Sequence, residues 1–217
     1  MPKIIPTITA MTPSEYADQW QTLSQFAERI HIDITDGKFA PSHTVNLNQI
    51  YWDRGEIVQQ IDLHLMMRRP IDWLDQIVSL APNLAIFHAE SDNASVNLPR
   101  IFEHLRKFNI RVGVALLSET IPKQVADVIK LADHALVFGG HLGYQGGTAD
   151  LDQLEKVASI RELNPGAEIA WDGGANSNTV AQIAAAGVDI INVGSAVMES
   201  TDPAEAYQNL EHAISQS

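Results

Sequence analysis

The sequence predicts an α/β protein folded as one (β/α)8 TIM barrel, on three observations. Strand-like and helix-like segments alternate through all 217 residues. They recur about eight times at a period of roughly 25–27 residues, near the lower limit for an eightfold barrel. The strand segments are continuous apolar runs, the pattern of parallel strands covered on both faces. An open doubly wound sheet would not need so many units in so short a chain. No linker, charge block or low-complexity stretch divides residues 1–217, so they read as a single domain.

Lys3 to Thr9 is the first apolar strand. Thr12-Pro13-Ser14-Glu15 opens a helix, with Thr12 as N-cap, Pro13 at the first helical position and Glu15 closing a capping box. Tyr16, Trp20, Leu23 and Phe26 follow at helical spacing, to an end near Glu28. Arg29 to Ile34 is the second strand, and a short helix is expected around Trp52–Gln59. Ile61 to Met67 is the third strand, with a helix starting at Pro70-Ile71-Asp72-Trp73. Leu84 to Glu90, Arg111 to Leu117 and His134 to Phe138 are the next strands, separated by helices over Leu98–Phe108 and Ile121–Leu131. A glycine-rich loop, Gly139 to Gly147, precedes a helix over Asp150–Leu163. Glu168 to Asp172 is the seventh strand, and Asn178 to Ala186 is a helix ending at Gly187, a natural terminator. Asp189 to Val193 is the eighth strand, and Pro203 to Ser215 the closing helix.

Composition narrows the function. No apolar run approaches the roughly 20 residues of a membrane span. Met1-Pro2-Lys3 leads straight into a strand, so no signal peptide is expected. The absence of cysteine excludes disulfides, thiolate zinc sites and a cysteine nucleophile, and suits a cytoplasmic enzyme. A net charge of −13 argues against nucleic acid and anionic membrane as partners. The charge of an anionic small molecule must then be met locally, by a metal ion or by backbone N–H groups.

Barrel sites lie at the C-terminal ends of the strands. The polar residues there are Thr7, His31, Asp33, His64, His88, Asp172 and Ser195, where Val, Ile and Leu are the rule. His31 and Asp33 are two apart and leave their strand on one face. Asp172 points opposite to Trp171, so an inward Asp172 puts Trp171 under the helices. His31, Asp33, His64 and Asp172 can converge on one divalent ion, and ligation by nitrogen and oxygen suits Zn, Fe, Mn or Co without choosing among them. The same four residues also read as hydrogen-bonded polar groups of a core. Gly173-Gly174 and Gly194-Ser195 occupy the loops after strands 7 and 8, the usual phosphate seat of this fold. No Lys or Arg stands in them, so amides would hold a phosphate; Gly-Gly alone would be an ordinary tight turn. Gly140 to Thr148 lacks the lysine of a nucleotide-binding loop. His88-Ala89-Glu90 resembles a deaminase zinc motif but has no cysteines to complete it. An Asp-x-Lys-x-x-Asp pattern begun at Asp33 meets Thr35 where lysine is needed. His43, His104, His134 and His212 are expected on surface or helical faces.

His31-x-Asp33-x-x-Asp36-Gly37-x-Phe39-x-Pro41, Asp62-x-His64-Leu65-Met66, Phe87-His88-x-Glu90, Gly113-x-Ala115-Leu116, Asp172-Gly173-Gly174 and Gly194-Ser195-Ala196 together resemble ribulose-phosphate 3-epimerases, in order and over nearly the whole chain. The resemblance implies a barrel of the ribulose-phosphate-binding type with one divalent metal ion. The implied reaction interconverts D-ribulose 5-phosphate and D-xylulose 5-phosphate by two-base proton transfer at C3 through an enediolate. It implies His31, Asp33, His64 and Asp172 as metal ligands and Asp33 and Asp172 as the acid/base pair. Thr7, His64, Gly146, Gly147, Gly173, Gly174, Gly194 and Ser195 are the implied substrate contacts, with Gly146 and Gly147 in the loop that covers the substrate. The family also implies assembly into dimers or larger homo-oligomers. The chain departs from the pattern at Thr35, at Leu117-Ser118 and through the rebuilt loop His141 to Thr148. These changes alter the walls and keep the chemical groups. They leave open another phosphoketose, such as D-allulose 6-phosphate, and a catalytically silent phosphosugar-binding barrel.

Overall fold

The computed structural model describes residues 1–52, 60–144 and 146–215. Apart from Trp52, the short helix expected around Trp52–Gln59 lies outside them. Eight parallel strands close into a barrel in chain order: β1 (Lys3–Ile8), β2 (Arg29–Thr35), β3 (Gln60–Met66), β4 (Leu84–His88), β5 (Arg111–Leu116), β6 (His134–Phe138), β7 (Glu168–Asp172) and β8 (Ile190–Val193). β8 pairs with β1 to complete the ring. The helices are α1 (Pro13–Leu23), α2 (Leu74–Leu80), α3 (Ala94–Arg106), α4 (Ala126–Leu131), α5 (Glu155–Leu163), α6 (Val180–Ala185), α7 (Ser195–Met198) and α8 (Pro203–Ser215).

Local chemistry places these elements. The Thr12 hydroxyl accepts from the Glu15 N–H and the Glu15 carboxylate accepts from the Thr12 N–H, both at 3.2 Å, a reciprocal cap for α1. α1 stops at Leu23, five residues short of the expected end, and Phe26 turns onto the Tyr207 ring of α8. Proline-led segments start as 3-10 turns at Pro70–Trp73 and Pro122–Val125 before becoming α2 and α4. α3 begins at Ala94, not Leu98; Pro99 sits inside it and forgoes one backbone hydrogen bond. α7, directly after β8, is not visible in the apolar pattern because it is four residues long.

Strand alternation sorts the apolar residues into two cores. Tyr16, Phe87, Phe102, Ile160 and Trp171 join the layer between barrel and helices. Ile5, Leu84, Ile86, Ala115, Leu136, Phe138, Ala170 and Ile190 form a separate cluster inside the barrel. Ala170 faces inward, so Asp172 does too, and Trp171 packs outward as its alternation requires. Below this plug lies a charged layer. Arg29 pairs with Asp62 at 2.7 Å and grips both oxygens of Glu168 at 3.0 and 2.8 Å. His134 Nδ1 lies 3.0 Å from the same Glu168. His134 is therefore not a surface histidine: as the first residue of β6 it shares the inward parity of Phe138 and is buried.

Candidate active site

Above the plug, the inward positions turn polar. Thr7 on β1, His31 and Asp33 on β2, His64 on β3, His88 on β4, Asp172 on β7 and Asn192 on β8 all carry that parity. Register sets the convergence: Thr7 pairs with His31, Asp33 with His64 and Asp172 with Asn192. One donor atom from each of His31, Asp33, His64 and Asp172 falls within 4.8 Å of all the others. His64 Nδ1 lies 2.9 Å from Asp33 Oδ1 and 3.4 Å from Asp172 Oδ2. His31 Nε2 lies 3.4 Å from Asp33 Oδ1 and 3.6 Å from Asp172 Oδ2.

These spacings fit a cation. Two ligands about 2.1 Å from one ion, at the tetrahedral angle, stand about 3.4 Å apart. His31 is fully buried, and neither ring nitrogen has a hydrogen-bond partner among the described residues. A buried imidazole nitrogen left without a partner beside two carboxylates suits a ligand position better than a packed core. The electrostatics agree. Burial alone would lower the pKa of His31, yet the flanking Asp172 and Asp33 raise it to about 10. His64 is raised by the same two carboxylates against the same desolvation. Burial pushes Asp33 and Asp172 up, and the two imidazoles more than offset it, holding both below the ordinary carboxylate range. The two carboxylates thus call for positive charge beside them, held as protons on the two imidazoles or supplied by one divalent ion that displaces those protons.

The cluster floors a cleft of about 500 Å³, counted with its open mouth. Thr7, Asp33, Asp172, Gly146, Gly173, Gly174, Gly194 and Ser195 line it, as do Thr9, Met66, Phe138, Tyr144 and Asn192. His31 and His64 lie beneath, fully buried. Two expected substrate contacts do not line the cleft: His64, which lies beneath, and Gly147, which lines an adjoining open hollow that shares Tyr144 and Gly146 with it. No Lys or Arg is among the described lining residues. The loops after β6, β7 and β8 meet as one wall. Gly174 has a positive φ of 65°, and a Cβ there would press into the backbone of Ala149. A Cβ on Gly146 would lie 3.8 Å from Ser195 Oγ, which puts these two on facing sides of the same seat. Gly143, with φ of 82°, lets the β6 loop sit directly on Ser42 and Ala40 of the β2 loop. Asp36 fastens that β2 loop: Oδ1 accepts from the N–H groups of Lys38 and Phe39, and Oδ2 from that of Arg68 after β3.

Three residues join the site that their residue types had not marked for these contacts. The Thr9 hydroxyl donates to Asp33 Oδ2 at 2.8 Å. Asn192 is buried with both amide atoms unpartnered among the described residues. His88 Nε2 lies 2.9 Å from His64 Nε2. The readable signal was parity: each of Asn192 and His88 is a polar side chain on the inward face of an apolar strand.

Residues 3–198 match the model of the Ribulose-phosphate 3 epimerase family. The chain is 29% identical over 213 residues to a ribulose-phosphate 3-epimerase of Mycobacterium tuberculosis (strain ATCC 25618 / H37Rv), covering 96% of this chain and 91% of the relative. It is 28% identical over 179 residues to that of Treponema pallidum (strain Nichols), covering 81% of each. Among solved structures, 3-hexulose-6-phosphate synthase from Salmonella typhimurium superposes with a TM-score of 0.72 at 16% identity, over 99% of both chains, a likeness of fold. On a family match spanning nearly its whole length, this chain belongs to the ribulose-phosphate 3-epimerase family.

Proposed function

We propose that this chain, acting as one catalytic unit, is a metal-dependent isomerase that epimerises D-ribulose 5-phosphate and D-xylulose 5-phosphate at C3. The observation that carries the reading is the placement of Asp33 and Asp172. They come from β2 and β7, line one cleft and share the same two imidazoles. Inverting C3 requires removing a proton next to the C2 carbonyl and returning one to the opposite face. That takes two acid/base groups, one ionised and one protonated. Asp33 and Asp172 are those groups; both are held low within the cluster, so one of them takes up a proton in the substrate complex before the cycle runs. Asp33 turns Oδ1 to the imidazoles and Oδ2 to the Thr9 hydroxyl, so Thr9 fixes the plane of the carboxylate that exchanges the proton. His31, Asp33, His64 and Asp172 would hold the cation. When bound, it supplies Lewis-acid polarisation of the ketone oxygen and so acidifies the C3–H bond.

Amides of Gly174, Gly194 and Ser195 bind the phosphate in a cleft with no Lys or Arg among its described lining residues. Asn192 gives its unpartnered amide to a substrate hydroxyl. The sequence names of the relatives support the substrate, as sugar phosphates with this carbon chain are what those proteins are named for. A rice relative at 25% identity is named a cytoplasmic isoform, and the lack of cysteine also supports a cytoplasmic place. No helix of the described residues is long and apolar enough to cross a membrane.

The test is a direct one. Protein loaded in turn with Zn, Fe, Mn or Co is offered D-ribulose 5-phosphate and D-allulose 6-phosphate, and products are followed by carbon NMR. Conversion of the pentulose phosphate at the higher kcat/KM supports the proposal. Preference for the hexulose phosphate transfers the chemistry to that sugar, and inertness toward both overturns it.

A further inference from the structure

His88 and Glu90 play no part in the mechanism above, yet they join His64 in one buried array. His64 presents Nδ1 to Asp33, while its Nε2 lies 2.9 Å from Nε2 of His88. His88 Nδ1 lies 3.2 Å from Glu90 Oε2. Glu90 Oε1 accepts from the Leu117 N–H at 3.0 Å and from the Thr120 hydroxyl. A continuous chain of contacts therefore runs from the carboxylate–imidazole cluster to the loop after β5.

Counting protons gives the chain a direction. A backbone N–H can only donate, and both oxygens of an ionised carboxylate can only accept. Glu90 accepts from Leu117 on one side, so on the other it accepts from His88 Nδ1–H. The contact between the two Nε2 atoms has room for one proton. His88 has committed its own to Glu90, so His64 donates there from Nε2. With a cation in the cluster His64 is neutral, so the proton it gives from Nε2 leaves Nδ1 to offer its lone pair on the side of Asp33 and Asp172.

We propose that His88 and Glu90 are positioning residues that hold His64 as its Nε2–H tautomer and so aim the Nδ1 lone pair at the cation of the cluster. This rests on the reading of the cluster as a cation site. Such outer partners fix ring orientation and tautomer, and losing one typically costs 10- to 100-fold in metal affinity. The array is held rigidly. The His88 ring packs against Phe39 with centroids 4.7 Å apart. Lys156 Nζ donates to the carbonyls of Leu117 and Ser118 at 2.7 and 2.8 Å, pinning the loop whose N–H orients Glu90.

Glu90→Gln tests this with almost no change of shape. The Leu117 N–H requires the new amide oxygen on its side, which turns the amide NH2 toward His88 Nδ1. His88 must then accept at Nδ1 and donate from Nε2. His64 must accept at Nε2 and carry its proton on Nδ1, the ligand position. Zinc affinity, measured by chelator competition, is expected to fall about 10- to 100-fold. Nitrogen-15 NMR of the imidazoles is expected to show the His88 proton moved from Nδ1 to Nε2. Zinc affinity within about twofold of wild type, with His88 still protonated on Nδ1, would overturn the proposal. If the wild-type protein takes up no zinc, the cation-site reading fails. The wild-type NMR spectrum still decides the array: a proton on His88 Nδ1 supports it and one on Nε2 overturns it. Should Glu90→Gln not fold, His88→Phe keeps the ring packing and removes the acceptor. The same loss of affinity is expected, and unchanged affinity refutes the role.

Discussion

Thr9, just past the end of β1, donates its hydroxyl to Asp33 Oδ2 at 2.8 Å, while Asp33 Oδ1 faces the imidazoles. The carboxylate is held from both sides. A hydrogen bond to a charged acceptor is worth about 1.5–3 kcal/mol, or roughly 10- to 150-fold in rate if it acts only in the transition state. Thr9→Val, which keeps the shape, should lower kcat by about that factor and leave KM little changed. Steady-state kinetics check this, and an unchanged kcat removes Thr9 from the machinery.

Asp172 is the second proton carrier and shares its oxygen with both histidines. Asp172→Asn keeps the volume and removes the base. Turnover should fall by about 10²- to 10⁴-fold, with a melting temperature near that of wild type. Near-normal turnover would take the acid/base role away from Asp172.

Asn192 is buried with an unpartnered amide, a cost of about 1–3 kcal/mol to the empty protein. Asn192→Val should raise the melting temperature by roughly 2–4 °C for each kcal/mol regained in a chain of this size. It should also lower kcat/KM, because the substrate hydroxyl loses its partner. Calorimetry and kinetics on one preparation test both halves. A loss of stability would mean that the amide is satisfied in the free protein.

The charged layer under the barrel plug should make stability fall in acid. Burial holds His134 below its ordinary 6.5, outweighing Glu168. Burial pushes Glu168 up, and His134 and Arg29 bring it well below its ordinary 4.5. Both groups bind protons more tightly unfolded than folded, so both contributions are present at neutral pH and fade as pH drops. Below pH 6.5, where the raised His31 and His64 already hold their protons, the melting temperature should begin to fall and should fall further below pH 4.5. Glu168→Gln should destabilise by roughly 3 kcal/mol at pH 7, since Arg29 loses a bidentate partner, and should flatten the acid limb. A wild-type curve flat to pH 4 would contradict this.

The barrel was legible because its signals are local or periodic. The capping box at Thr12 and Glu15, the limits of β6 and β7 and the outward turn of Trp171 all follow from side chains a few residues apart. Helix lengths were less legible. α1 ends early because Phe26 packs on Tyr207, a partner about 180 residues away that no local pattern reports. The His31, Asp33, His64 and Asp172 set was visible as polar residues in apolar strands. The partners of those residues were not, since they depend on register between strands. His134 looked like a surface histidine because the rule that polar means exposed fails where Glu168 and Arg29 share its layer. His88 was visible as a polar residue at the end of an apolar strand, but its contact with the His64 ring was not, since it depends on how β3 and β4 lie together.

The most direct measurement is deuterium incorporation at C3 of D-ribulose 5-phosphate in heavy water, run on zinc-loaded protein and on the same protein stripped by chelator. The loaded protein should place deuterium at C3 of both pentulose phosphates, and the stripped protein should be silent until the ion is restored. Exchange that survives complete removal of the ion, or none in the loaded protein, would contradict a cation held by His31, Asp33, His64 and Asp172 beside two proton-carrying aspartates.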